Sequence, residues 1–213
     1  MNIKVCYVYP ALDPGTYRPM AERFVQTYME FPPGAADHEI IVLINGGHPN
    51  NQPIYDRLFS PLAVQYLYHD NTGKDIGAFA AAASQLKCDL MVCLGAPIHF
   101  LRAGWLDRIV MVYEDNGPGL YGGWGFHQPT AHIRTTAFWL PPEILSAYPY
   151  VIHDGNRYEF EHGGASILQF VKSLGMEGHM VTMDGCYPEP NWHHVERSRV
   201  LMLDQHCLKI GLA

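Results

Sequence analysis

This 213-residue chain is short of several things, and each shortage excludes a class of protein. Cysteine is scarce: Cys6, Cys88, Cys93, Cys186 and Cys207 are odd in number, scattered and without a C-x-x-C pair, so neither a disulfide scaffold nor a thiolate zinc frame is expected. No apolar run approaches the ~20 residues of a membrane-spanning helix. The run at 5–8 meets Pro10 and then Asp13, well short of a secretory signal core, and no Asn-x-Ser/Thr acceptor occurs. Both observations agree with a cytoplasmic protein. Basic residues are outnumbered, 14 against 21 acidic, which leaves a net charge of −7 and no basic stripe; duplex nucleic acid is therefore disfavoured as a partner. The 12 histidines charge only below neutral pH. Repeats, low-complexity tracts and linkers are absent too, which points to one domain over residues 1–213.

What is present is enough apolar material, 48% of residues, to build a core without a metal or disulfide staple. Residues 3–9 are β-branched and aromatic and close on Pro10, as in a buried strand. Met20, Phe24, Tyr28 and Phe31 recur at helical spacing up to Pro32-Pro33-Gly34. Strands are expected at 39–44 and 63–68, giving the order β-α-β-β. A helix from Ile76 leads to a strand at 89–94, then comes a helix through Trp105, Ile109 and Tyr113. The glycine-rich stretch 117–125 is too irregular for a helix. Later come a strand at 133–140, a short helix from Pro141-Pro142-Glu143, a helix through Ile167 and Leu174 ended by Gly175, and strands at 179–183 and 200–203. The class is α/β, a mixed sheet flanked by helices.

Three patterns resemble known motifs and fail on context. Gly117-Pro118-Gly119-Leu120-Tyr121-Gly122 fits G-x-G-x-x-G but follows no strand and opens no helix. Asn71-Thr72-Gly73-Lys74-Asp75 lacks the upstream glycine and the Ser/Thr of a phosphate loop. The histidines offer no H-E-x-x-H, and His193-His194 reads as a loop.

Three further segments belong together: Asn71-Thr72-Gly73-Lys74-Asp75-Ile76-Gly77-Ala78-Phe79, His132-Ile133-Arg134-Thr135-Thr136-Ala137-Phe138, and Arg157-Tyr158-Glu159-Phe160-Glu161-His162-Gly163-Gly164. With the strand and turn at 89–100, their order and spacing resemble GT-A glycosyltransferases over roughly residues 3–185. The nearest likeness is to small bacterial and viral glycosyltransferase-like proteins of the rhamnosyltransferase and cellulose-synthase type. The resemblance implies a GT-A-type, Rossmann-like sheet, with a nucleotide-binding half at 1–100 and an acceptor or catalytic half at 101–213. It also implies a nucleotide-sugar donor as co-substrate and a hydroxyl-bearing acceptor as partner.

Under that resemblance Tyr9, Pro10, Asn45 and Asp70 lie near the nucleoside. Asn71, Gly73, Lys74 and Asp75 open a helix whose amides can face phosphate; the alternative for Lys74-Asp75 is an exposed capping turn. The family's Asp-x-Asp, which holds Mn²⁺ or Mg²⁺ against the diphosphate, is replaced by Leu94-Gly95-Ala96-Pro97, so either the metal is held elsewhere or Lys74, Arg134 and Arg157 replace it. His99 and His206 are weak metal candidates, or hydrogen-bonded loop histidines. The family's base falls on Glu161 or, as second choice, Glu159, which would point apart on a strand-like approach; the alternative is that Glu161 caps the helix running to Leu174. Trp124, His132, Thr135 and Thr136 line the sugar or acceptor pocket, unless Trp124 is core. The functional expectation is glycosyl transfer, inverting, with a carboxylate base. The alternative is a GT-A-fold protein that binds nucleotide or nucleotide-sugar without transfer, and a nucleotidyltransferase is disfavoured for want of acidic metal ligands. A homodimer through the aromatic-rich C-terminal half is left open.

Overall fold

The computed structural model describes residues 1–204. The alternating apolar run β1 (Ile3–Pro10) is followed by α1 (Pro14–Glu30), whose first turn is capped by the Asp13 side chain accepting from the Thr16 amide. Then come β2 (Glu39–Asn45), α2 (Gln52–Phe59), β3 (Val64–His69), α3 (Lys74–Gln85), β4 (Leu90–Leu94), β5 (His99–Phe100) and α4 (Trp105–Asn116). The second half holds β6 (Leu120–Gly122), β7 (Gly125–Phe126), β8 (His132–Ile133), β9 (Ala137–Leu140), α5 (Pro142–Ser146), α6 (Arg157–His162), α7 (Ile167–Ser173), β10 (Gly178–Val181), β11 (Cys186–Pro188) and β12 (Met202–Leu203).

Eight strands form one sheet in the order β11-β10-β6-β9-β4-β1-β2-β3, in which β9 and β11 run against the rest. The small pairs β12-β5 and β7-β8 lie beside it. Successive residues of β1 point to opposite faces: Val5, Tyr7 and Tyr9 pack with α1, α2 and α4, whereas Cys6 and Val8 pack with α3, α5 and α7. Helices on both faces explain why β4, and β1 apart from Lys4, which pairs with Glu39, are apolar. The chain leaves β1 toward β2 and β3, then returns through α3 to place β4 on the other side of β1. A crevice at the carboxyl ends of β1 and β4 is the consequence, since the two crossovers part there.

Several expectations are corrected. A helix, α2, separates β2 from β3, so the order is β-α-β-α-β; its first turn is polar and proline-bearing, and only Tyr55 and Phe59 are buried. The glycine-rich stretch contains β6, a fully buried strand of the main sheet, because Gly122 lets the Ile133 side chain approach where a Cβ would stand 2.2 Å from it. The expected strand at 133–140 is two strands, broken at residues 134–136. Glu159 and Glu161 lie on helix α6 and not on an extended approach. The strand at the chain's end, β12, pairs with β5 outside the main sheet.

Gly77 marks a backbone approach that a side chain would break: a Cβ there would stand 1.9 Å from the Thr72 carbonyl oxygen. Gly77→Ala is expected to destabilise the fold by about 1–3 kcal/mol in urea unfolding, whereas Gly164→Ala, with no atom within 4 Å of its added Cβ, stays near wild type. Equal midpoints for the two variants would contradict this packing.

Candidate functional site

A cleft of about 500 Å³ opens at that crevice. Pro10 closes β1 on its floor, Asn45 ends β2, and Ala96 and Pro97 follow β4. Leu12, Tyr17 and Met20 form an apolar wall, while Asn71, Lys74, Asp75, Thr136 and Arg157 supply the polar side.

The polar side is built from short-range ties. Asn45, 1% exposed, donates to the Asn71 side-chain oxygen at 2.7 Å, and its own oxygen lies 2.8 Å from His69 Nδ1. Asn71 and Lys74 hold φ of +78° and +55°, a left-handed backbone unusual outside glycine, around Gly73 at +70°. Asp70 is exposed and accepts from the Thr72 amide, which makes it a turn residue. The Gly73 amide donates to the Asp154 carboxylate at 2.8 Å, so the expected phosphate cradle at the start of α3 already holds an acidic side chain of this chain. Asp75 takes Arg157 in a two-pronged pair, Nε and Nη2 each at 2.9 Å. That pairing raises the Arg157 pKa and keeps Nη1 outside the pair.

A second cluster lies one helical turn along α6. Glu161 is 5% exposed; its Oε2 accepts from the Thr135 amide at 2.9 Å and from the Thr135 hydroxyl, and Oε1 lies 3.1 Å from His162 Nε2. Burial pushes its pKa up, but the Thr135 hydrogen bonds with Arg134 and Arg157 outweigh this and hold it below the ordinary value. His132 is buried beside it, with Nδ1 donating to the Thr130 carbonyl, and its ring lies 4.0 Å from that of His162. Asp204, 1% exposed, accepts from the Thr136 hydroxyl at 2.8 Å and pairs with Arg134 Nη2 at 3.0 Å.

Of the residues expected at the site, Pro10, Asn45, Asn71, Lys74, Asp75, Thr136 and Arg157 line the cleft, while Arg134, Thr135, His132 and Glu161 stand behind its wall. Tyr9 does not line it: its ring packs against Tyr55 and Phe59 in the core beneath α1 and α2. Trp124 is core, 1% exposed, with its indole donating to the Met202 carbonyl. Glu159 is exposed, and the cap of α7 is Ser166 rather than Glu161. His99 is buried against Arg23 at 3.0 Å and belongs to no group of three or more His, Cys, Asp or Glu side chains close enough to share an ion among the described residues. His206 lies outside the described residues. The Asp-x-Asp place does not fit a divalent cation, since Gly95, Ala96 and Pro97 bring no side-chain oxygen. Nothing in the sequence marks Asp154 or Tyr17, and Met20 reads there only as part of a helix face.

No protein-family model and no curated protein sequence matches the chain. Among solved structures it is similar to a mannosyltransferase from Pyrobaculum calidifontis in complex with GDP-Man and Mn²⁺, at TM-score 0.60 and 12% identity, covering 90% of this chain and 59% of that one. The chain thus spans less than two thirds of the mannosyltransferase's length. It is also similar to apo mouse xyloside xylosyltransferase 1, at TM-score 0.53 and 7% identity over 85% of each chain. A third is 4-diphosphocytidyl-2C-methyl-D-erythritol synthase from Anaerococcus prevotii, at TM-score 0.50 and 14% identity over 74% of this chain and 81% of that one. At these identities what is shared is the fold, which is of the GT-A, Rossmann-like type expected from the sequence. No helix of the described residues is long and apolar enough to cross a membrane.

Burial lowers the pKa of His69, His99, His162 and His179. A group whose folded pKa is depressed binds its proton more readily when unfolded, so the stability it contributes is present above its ordinary value and lost as pH falls. Urea midpoints are expected to drop steadily from about pH 7 to about pH 5; a flat profile would contradict the neutral burial of these rings.

Proposed function

We propose that the chain is a transferase that binds a nucleotide-sugar in the cleft between the ends of β1 and β4 and passes the sugar to a hydroxyl acceptor approaching from the side of β9 and α6. The observation that carries this reading is the composition of the cleft: an apolar wall of Leu12, Tyr17 and Met20 faces Lys74 and Arg157 across a volume suited to one such ligand. A nucleoside suits the wall, where the Asn71 amide, positioned by the buried Asn45, can address the ribose or base. A diphosphate suits the cations, and Arg157 keeps Nη1 available while Asp75 fixes the rest of its guanidinium.

A departing nucleoside diphosphate gathers negative charge on its terminal phosphate, and fixed cations aimed at it lower the barrier without reorganising. Lys74 and Arg157 fill that role in this reading, in place of an ion at Ala96-Pro97. The similar mannosyltransferase holds GDP-Man, which favours a nucleotide-sugar as the ligand class to try first. The proposal asks nothing of Glu161 as the base of an inverting transfer: Oε2 is used twice by Thr135, and Oε1 faces His162.

The test is calorimetry with UDP, GDP and dTDP and their nucleosides, in EDTA. One diphosphate is expected to bind, and at 100 times its Kd to stabilise the fold by ~2.7 kcal/mol. Lys74→Ala and Arg157→Ala are expected to weaken that diphosphate by about tenfold or more and the nucleoside far less. Equal losses for both ligands would refute the phosphate assignment. Diphosphate release from the cognate nucleotide-sugar, with a panel of hydroxyl acceptors, then separates transfer from binding alone.

A further inference from the structure

We propose that His132, Glu161 and His162 form a site for a single divalent transition metal of the zinc class, separate from the place where the GT-A pattern would put one. The ligand atoms of these three side chains all lie within 4.8 Å of one another. In a tetrahedral site with bonds of about 2.0–2.1 Å, neighbouring ligand atoms stand roughly 3.3 Å apart. The 3.1 Å between His162 Nε2 and Glu161 Oε1 is already close to such an edge. Little movement is needed to admit an ion.

The surroundings orient the donors as outer partners of a metal do. His132 Nδ1 meets a carbonyl oxygen, which can only accept, so Nδ1 carries the proton and Nε2 offers its lone pair. Thr135 holds Glu161 Oε2 with two donors, which turns Oε1 toward the histidines. His162 lacks such an outer partner: its buried Nδ1 has no hydrogen-bond partner among the described residues, so its ring is placed by Glu161 and by packing on His132 and Tyr158. The Thr130 hydroxyl fixes its main chain by donating to the His162 carbonyl.

Donor type and charge agree. Two imidazole nitrogens with one carboxylate oxygen suit zinc, cobalt or nickel better than magnesium or calcium, which prefer an all-oxygen shell. Three protein ligands leave a fourth position for water or substrate. Arg134 and Arg157 are each paired with an acid, Asp204 and Asp75, which leaves the Glu161 carboxylate as the charge a cation meets in the cluster itself. A Glu161 that ligates an ion has no oxygen left over for a base.

The experiment needs no nucleotide, so its result is independent of the transfer reading. The chain is stripped with a chelator and titrated with Co²⁺, then Zn²⁺, following visible absorption and the metal content after dialysis. Expected are one ion per chain, the intense bands of four-coordinate Co²⁺, and their loss when Zn²⁺ displaces it. His162→Gln and Glu161→Gln should weaken binding by about tenfold or more. His127→Gln, at the separate pair His127 and His193, should leave it unchanged. Circular dichroism shows whether each variant is folded, and if the buried positions do not tolerate change the wild-type stoichiometry and Co²⁺ spectrum decide. Absence of a bound ion, the weak bands of six-coordinate Co²⁺, or binding lost in His127→Gln and kept in His162→Gln would overturn the proposal.

Discussion

The chemistry of this molecule hangs on β9 being locked between β4 and β6. Its four residues pair with β4 on one side, and Phe138 and Trp139 pair with β6 on the other, against the direction of both. Phe138 and Trp139 point to opposite faces and are fully buried, so the strand is held by both cores at once. Residues 134–136 run directly into it, and their position is therefore set by the core rather than by the loop. From that fixed point Thr135 grips Glu161, Thr136 and Arg134 grip Asp204, and the cleft acquires its far wall. A loosened β9 would release all of these groups together.

Charge is the second organising constraint. Acidic and basic side chains from distant parts of the chain alternate through the wall: Asp75 with Arg157, Arg134 with Asp204, Glu161 within reach of both guanidiniums. Pairing of this kind is a modest source of net stability, because desolvation offsets much of the attraction; removing one member strands its partner and is far more damaging. The arrangement is better understood as positioning. Asp75 turns a flexible arginine into a directed donor on the cleft, and Asp204 does the same for Arg134 behind it.

Much of the architecture was readable because it rests on periodicity. The strands β1, β2, β3 and β4 and the helices α1, α3 and α4 show apolar spacings that survive any tertiary detail. Where the signal is weak the reading slipped: α2 buries only Tyr55 and Phe59, and β6 hides among glycines needed for close packing against Ile133. The site was half readable. Cleft residues at strand exits follow from topology, and Asn45, Asn71 and Lys74 accordingly line the cleft. Which way a side chain faces does not follow from local sequence, so Tyr9 and Trp124 were assigned to a ligand and belong to the core. Asp154 meets the α3 turn across 81 residues, a contact without a local signature.

The replacement of an acidic turn by Gly95-Ala96-Pro97 alters how the cleft must balance charge. An acidic pair there would repel a diphosphate until an ion arrived; the neutral turn does not, and it leaves Lys74 and Arg157 as the cations lining the cleft, against Asp13, which caps α1, and Asp75, which is paired with Arg157. On the proposed reading, nucleotide affinity would rest on these fixed side chains and respond to salt more than to chelators. The histidine-carboxylate cluster stands apart from this balance, one turn further along α6 and behind the cleft wall. An ion bound there would act on what approaches from the β9 side, because it shares the α6 helix with Arg157 but faces Thr135 and His132. On the proposed reading, then, the phosphate side depends on Arg157 and the acceptor side on Glu161 and His162, one turn further along the same short helix and within electrostatic reach of that arginine.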